Sequence, residues 1–138
     1  MADRNAIEKL IRDAYAARKG KDLDNVMKFF APEATFQFAG SAAASPAAVH
    51  VRGAADLRAT FAALIAAFDI LELTLLTSVI EGDNAAMHWR VKVRYNPSGE
   101  LHDTELFDLW TIVDGRVTRF VQFADTALVA KLMAHKHS

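Results

Sequence analysis

Between Asn5 and Lys19, apolar side chains fall at Ile7, Leu10, Ile11, Ala14 and Tyr15. Steps of three and four residues put them on one face of a helix. Gly20 is a stop signal. Asp22 suits the cap of a short second helix over DLDNVMKFF, which Pro32 ends. Ala34–Phe38, ATFQF, predicts a strand. A third helix runs from about Ala54 to Phe68, striped by Leu57, Phe61, Leu64, Ile65 and Phe68. The apolar period then falls to two. Leu71–Glu81 predicts a strand closing on Gly82-Asp83-Asn84. In Ala86–Tyr95, Met87, Trp89, Val91, Val93 and Tyr95 point one way and His88, Arg90, Lys92 and Arg94 the other, as in an antiparallel strand with two unlike faces. After a turn at Asn96–Gly99, His102–Val113 and Val117–Phe123 predict a hairpin across Asp114-Gly115. A last helix covers Thr126–Ala134. The order α-α-β-α-β-β-β-β-α predicts an α+β fold, with helices laid on one face of a curved antiparallel sheet.

Composition narrows the function. The 138 residues suit one domain, 1–138, with a substantial core. A net charge of −1 favours neither nucleic acid nor an anionic membrane surface as partner. The absence of cysteine excludes disulfides, thiolate catalysis and thiolate metal sites, and it fits a cytoplasmic location. The N-terminus lacks an apolar signal core, and no apolar run is long enough to span a membrane. Gly40–Ala48, GSAAASPAA, reads as a loop. No phosphate-binding loop or dinucleotide fingerprint is present, and no cofactor is expected.

One residue breaks the apolar strand pattern. Asp108 stands in LFDLWTIV, on the same strand face as His102, Thr104, Leu106 and Trp110. Phe107, Leu109 and Thr111 occupy the other face. A carboxylate among Leu106, Trp110 and Phe120 would be poorly solvated, which favours its neutral form. Neutral, it donates a hydrogen bond to a ligand oxygen; partly wet, it serves as a general base. A third reading is structural: Asp108 pairs with a basic neighbour or a backbone amide and holds the sheet together.

The order of a tyrosine-bearing first helix, KDLDNVMKFFAPEATFQFAG, VRGAADLRATF and a closing DGRVTRFVQFAD resembles the ketosteroid isomerase-like and SnoaL-like branch of the NTF2-like superfamily. The resemblance spans nearly the whole chain. It implies a cone-shaped α+β barrel of the cystatin-like type, a curved sheet around a long helix with an apolar pocket between them. It also implies a homodimer joined through the outer sheet face, for which the apolar Phe107 and Leu109 argue independently. Counted back from the Asp114-Gly115 turn, Asp108 matches the isomerases' protonated oxyanion-hole aspartic acid. Phe38 stands where their general base would be. Tyr15 lies one residue out of register with their oxyanion tyrosine. The limonene epoxide hydrolases, which share the fold, fit worse. Trp89 and Val91 occupy the places of their catalytic arginine and aspartate, Phe36 and Phe38 those of first-strand polar residues, and only Asp125 matches.

The candidate catalytic residues are therefore Asp108, Tyr15, Asp125 and His102. The candidate wall of a pocket for a small apolar, carbonyl-bearing molecule comprises Phe38, Phe61, Trp89, Val91, Thr104, Leu106, Trp110, Phe120 and Gln122. Each carries a second reading. Tyr15 fits a core tyrosine, Asp125 a helix cap, His102 a solvent-facing residue beside a turn, Gln122 a cross-strand bond, and the large apolar residues plain core. The stripe Arg90, Lys92 and Arg94 reads as a solvated or inter-subunit face. His135-Lys136-His137 is weak evidence for a metal site, and no other spacing suggests one. The resulting expectation is an isomerase, lyase or cyclase working without metal, or a non-catalytic ligand-binding or dimerisation module of the same fold.

Overall fold

The computed structural model describes residues 3–134. Helix α1 spans Arg4–Lys19 and α2 Leu23–Lys28, followed by strands β1 (Phe30–Phe38) and β2 (Val49–Arg52) and helix α3 (Ala54–Ala67). Strands β3 (Phe68–Glu81), β4 (Asn84–Tyr95), β5 (Glu100–Val113) and β6 (Arg116–Phe123) come next, and α4 (Thr126–Ala134) closes the order. His135 and His137 lie outside the described residues.

The helix starts follow their caps. Asp3 accepts from the Asn5 amide, and Asp22 accepts from Asn25 N–H at 3.2 Å. Arg18 and Lys19 in the last turn of α1 complement its dipole. Gly20 caps that helix in a right-handed conformation, and Lys21 takes the left-handed turn at φ 59°. Asp114 and Gly115, at φ 51° and 76°, form the tight two-residue turn between β5 and β6.

Among the described residues the strands form one curved, unclosed six-stranded sheet in the order β2-β1-β6-β5-β4-β3. The architecture is α+β. The sheet is mixed rather than wholly antiparallel, because β1 runs parallel to β6, with Phe36 opposite Phe120 and Phe38 opposite Gln122. Pro32 does not stand beyond a helix end but inside β1, within the register shift between Phe30 and Thr35. A proline has no N–H for the ladder, so a bulge is where a strand tolerates it. Strand β2 had no counterpart in the expected order. It is a short, mostly exposed edge held to β1 from Thr35↔Arg52 to Phe38↔Val49. Helix α3 runs straight into β3, its last residue Ala67 followed by the first strand residue Phe68.

The core lies between the concave sheet face and the helices. Ile7 and Ile11 of α1 and Leu57 and Phe61 of α3 meet Phe36, Met87, Trp89 and Val117 from the strands, all buried. Strand β4 keeps its predicted alternation, with Met87, Trp89, Val91, Val93 and Tyr95 inward. On the convex face Phe107, Leu109 and Phe123 are 42%, 40% and 45% exposed, a contiguous apolar strip on β5 and β6. Arg90 faces Glu105 and Lys92 faces Asp103 across β4 and β5, so the basic stripe lies opposite acidic neighbours.

Candidate functional site

The pleat of β5 turns Leu106, Asp108 and Trp110 toward the core, and Asp108 sits opposite Met87 of β4 and Gln122 of β6. Its side chain is wholly buried. Oδ2 accepts hydrogen bonds from the Tyr15 hydroxyl, from Trp89 Nε1 at 3.0 Å and from Trp110 Nε1 at 3.3 Å. Oδ1 accepts from Gln122 Nε2 at 3.2 Å, and the same amide nitrogen donates to the Tyr15 oxygen at 2.8 Å. Arg18 Nη1 donates to Gln122 Oε1 at 3.3 Å. Tyr15 and Arg18 are one helical turn apart on α1, which brings both to the Asp108–Gln122 pair across β5 and β6.

The two indoles can only donate, so Oδ2 is held as an acceptor. Burial pushes the Asp108 carboxyl up from its ordinary 3.8 to about 6. Hydrogen bonds from Tyr15 and Gln122, the Arg18 charge and the Trp89 N–H all oppose that rise. Burial, and next the Asp108 charge, push the Tyr15 phenol well above its usual range, so Tyr15 keeps its proton and donates. The result is a buried carboxyl that titrates near neutral pH beside a phenol that does not.

Two cavities flank this network. One of about 50 Å³ is lined by Phe38, Val91, Thr104, Leu106 and Gln122, with Asp125 at its edge and Leu128, Val129 and Leu132 of α4 closing it. A smaller one, about 10 Å³, touches Tyr15, Phe61, Trp110 and Phe120. Trp110 and Phe120 stack there, with ring centres 3.7 Å apart and planes 12° from parallel. Trp89 lines neither cavity and meets Asp108 instead. Asp108 itself lines neither, so Gln122 and Tyr15 stand between its carboxyl and the open space.

Asp125 is exposed, and its Oδ1 accepts from the Leu128 amide at 3.1 Å, capping α4. His102 does not join the network. Six residues from Asp108 along one strand is roughly 20 Å at ~3.3 Å per residue. Its Nε2 lies 3.5 Å from Glu100 Oε1, and it lines neither cavity. Tyr15 reaches Asp108 despite being one residue off the isomerase register. Arg18, which lines both cavities, was absent from the candidate residues. Its spacing of three from Tyr15 was the available signal. Among the described residues no three histidine or acidic side chains converge as a metal site. None of the described helices is long and apolar enough to cross a membrane.

No curated protein matches the chain. Its fold is shared by a Bacillus subtilis protein provisionally named an isomerase, at TM-score 0.84 and 16% identity over 97% of this chain and 96% of that one. A SnoaL-like protein from Jannaschia, provisionally named a polyketide cyclase, superposes at TM-score 0.77 with 21% identity over 100% and 99% of the two chains. An NTF2-like protein of unknown function from Burkholderia pseudomallei does so at 0.76 with 19% identity over 96% and 98%. At these identities the likeness establishes the NTF2-like fold alone. The family model for the SnoaL-like domain matches residues 11–120, which carry the second half of α1 through most of β6 and every member of the Asp108 network except Gln122, and the chain belongs to that family.

Proposed function

We propose that this SnoaL-like domain binds a small, largely apolar, carbonyl-bearing molecule in the cavity walled by Gln122, and acts on it by acid–base chemistry as an isomerase, lyase or cyclase. The supporting observation is the cage around Asp108: a buried carboxyl whose pKa, raised to about 6, lies close to working pH. A carboxyl raised to about 6 is a stronger base than an ordinary carboxylate and is still mostly ionised at neutral pH. Asp108 does not touch the cavity, so its effect reaches a ligand through neighbours. A ligand oxygen in this cavity that replaces one partner of Gln122 Nε2 would receive a hydrogen bond from an amide held in place by the carboxyl and by the Tyr15 hydroxyl. Names such as isomerase and polyketide cyclase among structures of the same fold agree in kind with this chemistry.

A second reading, a non-catalytic binding module, rests on the size of the cavity. About 50 Å³ is far below the roughly 300–1,000 Å³ of ordinary ligand pockets. One assay separates the two. The bicyclic ketone 2-tetralone exchanges its α-protons only through its enol or enolate, and exchange in D2O is read directly by NMR. Catalysed exchange that falls at least tenfold in Asp108→Asn is the expected result. Binding of the ketone without exchange above the buffer rate would leave the module and remove the enzyme.

A further inference from the structure

The cavity wall holds one cation whose partner is incomplete. Arg18 is half-buried at the end of α1 and lines both cavities. Of its five N–H donors, Nη1 reaches Gln122 Oε1 at 3.3 Å, and its carbon lies 6.0 Å from the centre of the Tyr15 ring. Among the described residues no carboxylate is within ion-pairing distance of it. Asp108, the nearest buried acid of the network, is separated from it by the Gln122 amide. Asp125 shares the cavity edge, but its Oδ1 is turned to the Leu128 backbone and the residue is exposed. The rest of the larger cavity's wall is mostly apolar, with Phe38, Val91 and Leu106 among its residues. A guanidinium facing such a space without a counter-charge is poorly compensated. A planar fork with free donors also matches a carboxylate better than it matches a neutral oxygen.

We propose that the ligand of this cavity is an apolar molecule carrying a carboxylate, and that Arg18 is the side chain that pairs with it. This rests on the reading that the cavity is the ligand site, and it narrows the class of ligand. The body of the molecule packs on Phe38, Val91 and Leu106. Its charged end lies beside the last turn of α1, where Arg18 and the Gln122 amide meet.

The test compares benzoate with benzamide, a neutral molecule of nearly the same shape. Binding is followed by NMR at the Gln122 side-chain amide, which lines the larger cavity and not the smaller one, so that only occupancy of this cavity counts. Wild-type protein is expected to hold benzoate at least about tenfold tighter than benzamide. Arg18→Lys should retain a preference for the anion, and Arg18→Gln should bind the two alike. Equal affinities in the wild type, or a benzoate preference that survives in Arg18→Gln, overturn the anion site and leave the cavity as an apolar ligand site. No response to either compound at millimolar concentration removes the ligand site along with it. Should Arg18→Gln fail to fold, the wild-type ratio and the Arg18→Lys ratio still decide.

Discussion

The Tyr15 hydroxyl donates to Asp108 Oδ2 across 93 residues of chain, joining the first helix to the fifth strand inside the core. The bond ties a proton that stays to a carboxyl that titrates. Its consequences are measurable in the free protein.

Stability should fall as pH rises from about 4 to about 6. Unfolded, Asp108 has its ordinary pKa of 3.8; folded, burial lifts it to about 6. Between those values the folded state holds the extra proton, so that stabilisation is full below pH 4 and lost through pH 6. The shift corresponds to about 3 kcal/mol. Urea melts of wild type and Asp108→Asn from pH 4 to 7 should differ by this slope, with the variant flatter. Parallel curves would show that the carboxyl is not buried in this way.

The two tryptophans of the sequence, Trp89 and Trp110, both donate to Asp108 Oδ2. Their indole N–H resonances should therefore move together with pH, sharing one midpoint near 6. In Asp108→Asn neither should titrate there. Two unrelated midpoints would break the shared-acceptor geometry.

Tyr15→Phe removes a donor to the charged form of Asp108 and leaves the Gln122 amide with one acceptor fewer. The loss should be about 1–3 kcal/mol at pH 7, the usual cost of an unsatisfied buried group. It should shrink at pH 4, where Asp108 is protonated, and the indole midpoint should move upward. A cost equal at both pH values would mean that the hydroxyl serves packing alone.

Asp125 caps α4 through the Leu128 amide. Asp125→Ala should cost about 1 kcal/mol, and Asp125→Asn should restore most of it. If an activity is found and Asp125→Asn abolishes it while the melt is unchanged, the cap reading is incomplete and the carboxylate itself is required.

We propose that Phe107, Leu109 and Phe123 on the convex face meet the same strip of a second copy. Their exposure on neighbouring strands makes an apolar patch that water covers at a cost. Light scattering should give a dimer mass for wild type and a monomer mass for Leu109→Lys. A monomeric wild type would end that proposal.

The legible parts of the fold were those written in local pattern. Alternation marked β4, the Asp114-Gly115 pair marked its hairpin, and α4 spans Thr126–Ala134 as read. Asp108 stands out because a lone acid interrupts an apolar strand. Strand β2 escaped because four mostly exposed residues have no period to display. The parallel pairing of β1 with β6 joins segments some eighty residues apart, and neither segment's own sequence encodes which strand it meets. Arg18 escaped for a related reason. A basic residue in a last helical turn is ordinary, and only its position over Gln122 makes it part of the site.

The junction of α3 and β3 bears on how anything bulky could enter. With Ala67 followed directly by Phe68, there is no slack between that helix and the sheet margin. Pressure on Leu64 from inside would have to bend a fourteen-residue strand paired along its length to β4. Helix α4 is attached differently, through Ala124 and Asp125, and meets the same void with Leu128, Val129 and Leu132. The two walls thus differ in attachment: α3 is continuous with a long paired strand, whereas two residues outside helix and strand join α4 to β6.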